Sequence, residues 1–181
     1  MTTIEGLTAG TYTIDPTHTE ISFSVRHLAI SKVRGKFQTF AGTVEIADQL
    51  EDSTASATID VASIDTNQKQ RDEHLRASDF LDVAQFPEMT FKSTSVAVDG
   101  DELTIVGDLT LRGVTKPVTL NAEFGGATVD GFGNSKVGFE ATAKINRQDF
   151  GVTWNAPTEA GGLTLGDVIT VTIDAQLTKN S

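Results

Sequence analysis

Few residues in this sequence are equipped for chemistry, and their spacing is uninviting. The histidines are His18, His27 and His74, three in all, and none stands at an HxH or HExxH spacing. The chain has no cysteine. Thiolate catalysis, disulfides and Cys-based zinc sites are therefore excluded, and a zinc centre would have to be assembled from distant segments, so no metal is expected. His18 is expected to fix the Asp15-Pro16 turn, and His74 to bridge two parts of the fold. Arg26, Lys32, Arg34 and Lys36 cluster in an otherwise acidic chain, and Lys69, Arg71 and Arg76 follow on a second segment. Framing one mouth together, they would suit a phosphate, pyrophosphate or carboxylate, arginine being fitted to bidentate contact. Taken singly they read as solvated charges, with Arg71 paired to a carboxylate. No nucleophile elbow is present, no two carboxylates share an inward face, and Gly125-Gly126 and Gly161-Gly162 are turn glycines rather than phosphate loops. The chain reads as a non-enzyme that needs no cofactor.

Composition narrows the partners. Against 14 basic residues stand 25 acidic ones, a net charge of −11 over 181 residues. Such a balance argues against nucleic acid and anionic membrane surfaces as main partners. The length fits one domain, residues 1–181. Met1 to Thr8 lacks the basic region and apolar run of a signal peptide, so a cytoplasmic location is expected. No stretch approaches the ~20 apolar residues of an integral membrane segment. A homodimer is compatible with all of this.

The elements that must position these residues are strands. Apolar residues recur at period two: Ile21, Phe23, Val25; Ala55, Ala57, Ile59, Val61; Leu103 to Leu111; Val118 to Phe124; Val137 to Ile145; Ile169 to Leu177. Between Phe37 and Phe40 the phase changes, and it slips again between Phe91 and Val96, as bulges require. About eight antiparallel strands, each with one buried face, close most economically on themselves, with a sandwich as the alternative. The expected fold is all-β, a single extended antiparallel barrel.

An eight-stranded barrel is either just filled by its side chains or holds one small ligand. Here the inward face mixes large residues (Phe23, Phe37, Phe91, Phe124, Phe139) with Ala55, Ala57, Gly107, Ala122, Ala141, Ala143 and Ala175. The small ones either leave volume or meet large partners across the barrel. By the same parity Arg26, Asp60, Lys92, Asp108, Arg112, Glu123, Lys144 and Asp174 point outward. His27 and Arg147 continue inward faces at strand ends. An apolar tube with polar groups near a rim suits an amphiphile. The candidate contacts are Ile21, Phe23, Val25, His27, Phe37, Phe40, Ala57, Ile59, Phe91, Leu109, Phe139, Ala141, Ala143, Ile145, Arg147 and Ile173.

One run breaks the β pattern. Asp65, Thr66 and Asn67 are N-cap types, and Gln68 to Ala77 are good helix formers, with Asp72 and Arg76 spaced to pair. A helix so short must dock. The insert, about 67–82, is expected to cap one barrel end as lid or plug, adding His74 and Leu75 to the contacts. Trp154, in the Asn155-Ala156-Pro157-Thr158 loop region, either covers the second end or packs within its loop, and joins them.

These segments resemble a known family. Asp15-Pro16-Thr17-His18-Thr19, Phe23-Ser24-Val25-Arg26-His27-Leu28, Val33-Arg34-Gly35-Lys36-Phe37, Arg71-Asp72-Glu73-His74-Leu75, Pro87-Glu88-Met89-Thr90-Phe91, Gly107 to Pro117 and Arg147-Gln148-Asp149-Phe150-Gly151 are similar, in order, to the YceI-like family. The resemblance implies a lipocalin-like barrel with a long apolar pore binding polyisoprenoids or other long-chain amphiphiles, with no catalytic activity established for the family as a whole. Most members look secreted or periplasmic, whereas a cytoplasmic location is the expectation for this chain. A barrel of ~10-residue strands, ~25 Å tall after tilting, would take roughly 16 to 22 carbons extended. The expected function is carriage or sequestration of an isoprenoid, isoprenoid quinone or fatty-acyl lipid. An isoprenoid-modifying enzyme using His27 or Arg147, and an interaction module with a filled core, are the alternatives.

Overall fold

The computed structural model describes residues 2–156 and 164–181. Gly161-Gly162 and the Pro157-Thr158 part of the loop lie outside them. Eleven strand segments occur among the described residues: β1 (Gly10–Ile14), β2 (Glu20–His27), β3 (Ser31–Phe37), β4 (Phe40–Ile46), β5 (Thr54–Asp60), β6 (Ile64–Asp65), β7 (Glu88–Asp99), β8 (Glu102–Leu111), β9 (Val114–Val129), β10 (Ser135–Asn146) and β11 (Leu165–Lys179), with one helix, α1 (Lys69–Arg76). Three long strands are each broken once. β1 and β2 lie in series along β11, β4 and β3 along them, and β5 and β6 along those. The result is a closed antiparallel barrel of eight strands.

The breaks sit side by side. Between β3 and β4 the backbone N–H groups of Gln38 and Thr39 leave the ladder and donate to Ser63 Oγ at 3.1 and 3.0 Å. This is where the hydrophobic phase changes between Phe37 and Phe40. The second slip is a register shift between Ser93 and Ser95 opposite β8.

Two clusters fill the interior at different heights. The lower one, toward the β9–β10 turn, joins Tyr12, Ile46, Leu50, Leu103, Phe124, Val137, Ala141 and Leu177 with Ile4 and Leu7 of the N-terminal segment. The upper one, toward the β8–β9 turn, joins Phe80, Leu109, Leu111, Val118, Ala143, Phe150 and Val152. Small inward residues meet large partners at both levels. The Phe91 ring occupies the space a side chain at Gly107 would need, and Ala122 and Ala141 share a cluster with Phe124, whose ring lies 5.4 Å from that of Phe139. A pore running the whole barrel is thereby corrected: the lower half is packed.

Residues 66–87 close the upper end. Arg112, expected to point outward, sits in the β8–β9 turn and donates to the carbonyls of Ser78 (2.9 Å) and Gly151 (3.2 Å), strapping the insert down. The β1–β2 corner is tied by Asp15, which accepts from Lys136 Nζ at 2.9 Å and from the Thr17 N–H at 3.0 Å. His18 joins it through its backbone N–H, bonded to the Asp15 carbonyl.

The Lys136 hydrogen bond holds the Asp15 carboxyl below its ordinary value of 3.8. Its stabilisation is therefore full above that value and lost as pH falls through the lowered folded one. Asp15→Asn should cost about 1.5–3 kcal/mol at neutral pH. Denaturant titrations at several pH values should show this gap constant down to pH 3.8 and closing below it.

Candidate functional site

Above the packed half lies a cavity of about 280 Å³. Phe23, Val25 and His27 of β2 and Val33 and Phe37 of β3 form one wall, with Ile64 beside them. Alternation puts their odd-numbered side chains inside and Arg26, Lys32 and Arg34 outside. Ile169 and Val171 of β11 stand opposite Val25 and Phe23 in register and continue that wall. Met89, Leu111 and Ile145 add to the walls, and the insert supplies Arg71, His74, Leu75, Phe80 and Leu81 above. Arg147, Val152, Trp154, Thr164 and Leu165 complete the lining, and no carboxylate lines it among the described residues.

The insert is held by polar contacts. Gln68, not Asp65, Thr66 or Asn67, is the N-cap, its side chain accepting from the Arg71 N–H. The three expected caps are otherwise engaged. Asp65 accepts from the Asn67 N–H, Asn67 turns with a φ of 63°, and Thr66 donates through both N–H and Oγ1 to the buried carboxylate of Asp72. Asp72 therefore does not pair with Arg76, which donates to the carbonyls of Ala62 and Ile64. Nor does Arg71 pair with a carboxylate among the described residues: it donates to Thr66 Oγ1 and to the Thr66 carbonyl, both at 2.7 Å.

Aromatic rings make the roof. His74 meets Phe80 and Trp154 edge-on, centroids 4.8 and 5.2 Å away, and Phe80 lies 5.1 Å from Trp154. These separations suit favourable ring contacts. His74 Nε2 stands 3.3 Å from Asp79 Oδ2, so its partner is in the insert rather than the barrel. Trp154 covers this same end, not the second one. Arg147, 2% exposed, donates through Nε to the Gly166 carbonyl and through Nη1 to the carbonyls of Val152 and Trp154, each at 2.8 Å. Its Nη2 is buried without a hydrogen bond, 3.7 Å from Asp167. Burial lowers its pKa, and the Asp167 charge opposes that.

Of the expected contacts, Phe23, Val25, His27, Phe37, His74, Leu75, Ile145, Arg147 and Trp154 reach the cavity. Phe139, Ala141 and Ile173 belong to the lower cluster, and Leu109, Ala143 and Phe91 to the upper core. Ile21 and Ile59 are buried away from the cavity, and Phe40 and Ala57 also lie below it, paired with Ile59 and Phe91. All ten face inward, but at heights where the barrel is filled. Val33, Leu81, Ile169 and Val171 are among the lining residues that the sequence did not point to. Cross-strand register marks three of them, since Val33 and Ile169 flank Val25, and Val171 flanks Phe23.

The YceI-like domain family matches residues 12–177. The chain belongs to this family. Protein YceI of Salmonella newport (strain SL254) is 45% identical over 148 residues, 80% of this chain and 78% of the relative. The crystal structure of a Campylobacter jejuni YceI protein is 30% identical, with a TM-score of 0.72 over 86% of this chain and 90% of that one. A polyisoprenoid binding domain from Saccharophagus degradans shares the fold, with a TM-score of 0.69 over 93% of this chain and 98% of that one at 16% identity. This chain is thus a YceI-like barrel whose cavity lies under the helical insert. No helix among the described residues is long and apolar enough to cross a membrane.

Removing the Asp72 carboxylate leaves the Thr66 donors unpaired in a buried site. Asp72→Ala should loosen the insert by about 2–3 kcal/mol. Hydrogen exchange should quicken at the amides of Ala77, Leu81 and Val83, bonded within the insert, while β9 and β10 stay protected. Uniform loss of protection would contradict an insert held locally.

Proposed function

We propose that this protein binds the tail of a long-chain amphiphile, of polyisoprenoid, isoprenoid quinone or fatty-acyl type, in the upper cavity, as a carrier or sequestering protein rather than an enzyme. The supporting observation is the lining: aliphatic and aromatic walls with, among the described residues, His27, Arg71, His74, Arg147 and Thr164 for polarity. Membership of the YceI-like family and the description of the Saccharophagus degradans neighbour as polyisoprenoid binding point the same way. At about 0.8 kcal/mol per buried CH₂, a partly enclosed tail supplies useful affinity, less the cost of association.

The site also restricts the ligand. Its volume is near the lower bound of small-molecule pockets, ~300 Å³, and the packed half blocks further descent. A chain of 16 to 22 carbons must fold or protrude rather than lie extended. Polar nitrogens, with no carboxylate among the described lining residues, favour a head carrying acceptor oxygens, and Arg147 Nη2 is a buried donor without a hydrogen bond. The guanidinium itself is committed to three carbonyls, which suits anchoring better than proton transfer.

Trp154 is the only tryptophan and lines the cavity, so its fluorescence reports occupancy. Titration with a long-chain fatty acid or a prenyl alcohol should change its emission and saturate at one equivalent. Val171→Phe should weaken binding at least tenfold with the fold retained. Ala141→Phe, in the packed half, should cost about 1–3 kcal/mol of stability through overpacking and leave affinity nearly unchanged. No response to either ligand class, or the opposite ranking of the two variants, would overturn the proposal.

A further inference from the structure

The hairpin that forms the cavity wall carries an unusual tip. Leu28 and Ala29 adopt left-handed backbone angles (φ 54° and 58°), a conformation costly for residues with a Cβ and normally given to glycine or asparagine. Ile30 is 82% exposed and Leu28 41%. Val168, in the β11 bulge opposite the same strand, is 50% exposed. An apolar tip held in a strained turn and shown to solvent is a poor choice for an inert loop.

Its charge environment departs from the rest of the protein. From Ile21 to Val44 there are four basic residues, Arg26, Lys32, Arg34 and Lys36, and not one of the chain's 25 acidic ones. Arg26 and Lys32 stand directly opposite each other across the hairpin, an arrangement of like charges that is unfavourable alone. None of the four forms an ion pair among the described residues. Lys32 and Arg34 also guard an edge strand against aggregation, but that accounts neither for Arg26, paired on both sides, nor for the apolar tip.

We propose that the β2–β3 tip docks on an anionic lipid surface, with Leu28 and Ile30 entering the interface and Arg26, Lys32 and Arg34 contacting phosphates. The spacing fits. Arg26 and Lys32 lie two residues behind Leu28 and Ile30, ~7 Å at strand rise, and amphipathic elements bury their apolar face ~5–10 Å deep. Net charge opposes such docking only beyond a screening length of ~10 Å, and the local patch is positive. The opposite wall of the same hairpin, Val25, His27 and Val33, lines the cavity. Docking there brings the cavity to the bilayer, a purpose that rests on the lipid-binding reading above.

Co-sedimentation with phosphatidylcholine vesicles, with and without phosphatidylglycerol, tests this. Binding should require phosphatidylglycerol and fall with salt. Each of Arg26→Gln and Lys32→Gln should lower the partition coefficient about fivefold. Leu28→Asn with Ile30→Ser should lower it at least tenfold, asparagine keeping the left-handed turn folded. Phe132→Ser should change nothing, since Phe132, 93% exposed, lies at the far end of the barrel. Absence of vesicle binding, insensitivity to phosphatidylglycerol, or full binding by the tip variant would overturn the proposal. The Trp154 titration in the tip variant separates the two readings. Retained ligand response with lost sedimentation supports docking, while vesicle binding by a wild type that takes up no ligand sinks the cavity reading alone.

Discussion

The upper half of this barrel depends on the buried guanidinium of Arg147. It gathers three backbone carbonyls, those of Val152 and Trp154, after the chain has left β10, and that of Gly166 at the start of β11. Buried carbonyls without partners are costly, and so is a buried cation. Each relieves the other here, with Asp167 moderating the charge from 3.7 Å. The segment so fixed lays Val152 and Trp154 under the insert, and Trp154 in turn gives His74 and Phe80 something to pack on. Without that anchor the roof has no floor.

The same barrel is solid below and hollow above because its two halves are filled differently. Below, Ile4, Leu7 and Leu50 come in from outside the strands and pack on Tyr12, Phe124 and Leu177. Above, three adjacent strands break at one level: β2 stays between β11 and β3, while β3 has on its other side, among the described residues, only the two-residue β6. The gap is bridged by the insert rather than by another full strand. Its residues Leu75, Phe80 and Leu81 roof the space without filling it. The insert, hung on Arg112, Arg76 and the Thr66–Asp72 pair, is held by a few polar contacts and should open at a lower free energy than the sheet beneath it.

Period-two alternation made the strands, the closure and the bulge between Phe91 and Val96 legible, because a buried face must repeat every second residue, whereas the phase change between Phe37 and Phe40 is a break between β3 and β4 rather than a bulge. Parity tells inside from outside but carries no height. Ala141, Leu109 and Ile173 therefore looked equivalent to Val25 and Phe23, though only the latter two meet the cavity. Val33 and Ile169 became visible only once register set them beside Val25. The helical insert stood out by composition. Its cap and partners did not, because Asp65, Thr66, Asn67 and Gln68 are all able caps, and tertiary contacts decided among them. Arg147 at a strand end resembled a rim charge, and nothing in its spacing foretold three carbonyl partners. The hairpin cations were plain in the sequence, whereas the apolar tip they surround needed the exposure of Leu28 and Ile30.

A lipid tail bound by this barrel should occupy only the upper half. Isotope-filtered NMR of the protein saturated with an unlabelled fatty-acyl ligand measures this directly. Cross-peaks from chain methylenes to the methyl groups of Val25, Val33, Ile169 and Val171, with none to Leu103, Val137 or Leu177, are the predicted result. Cross-peaks to the lower set, or to neither, would contradict it.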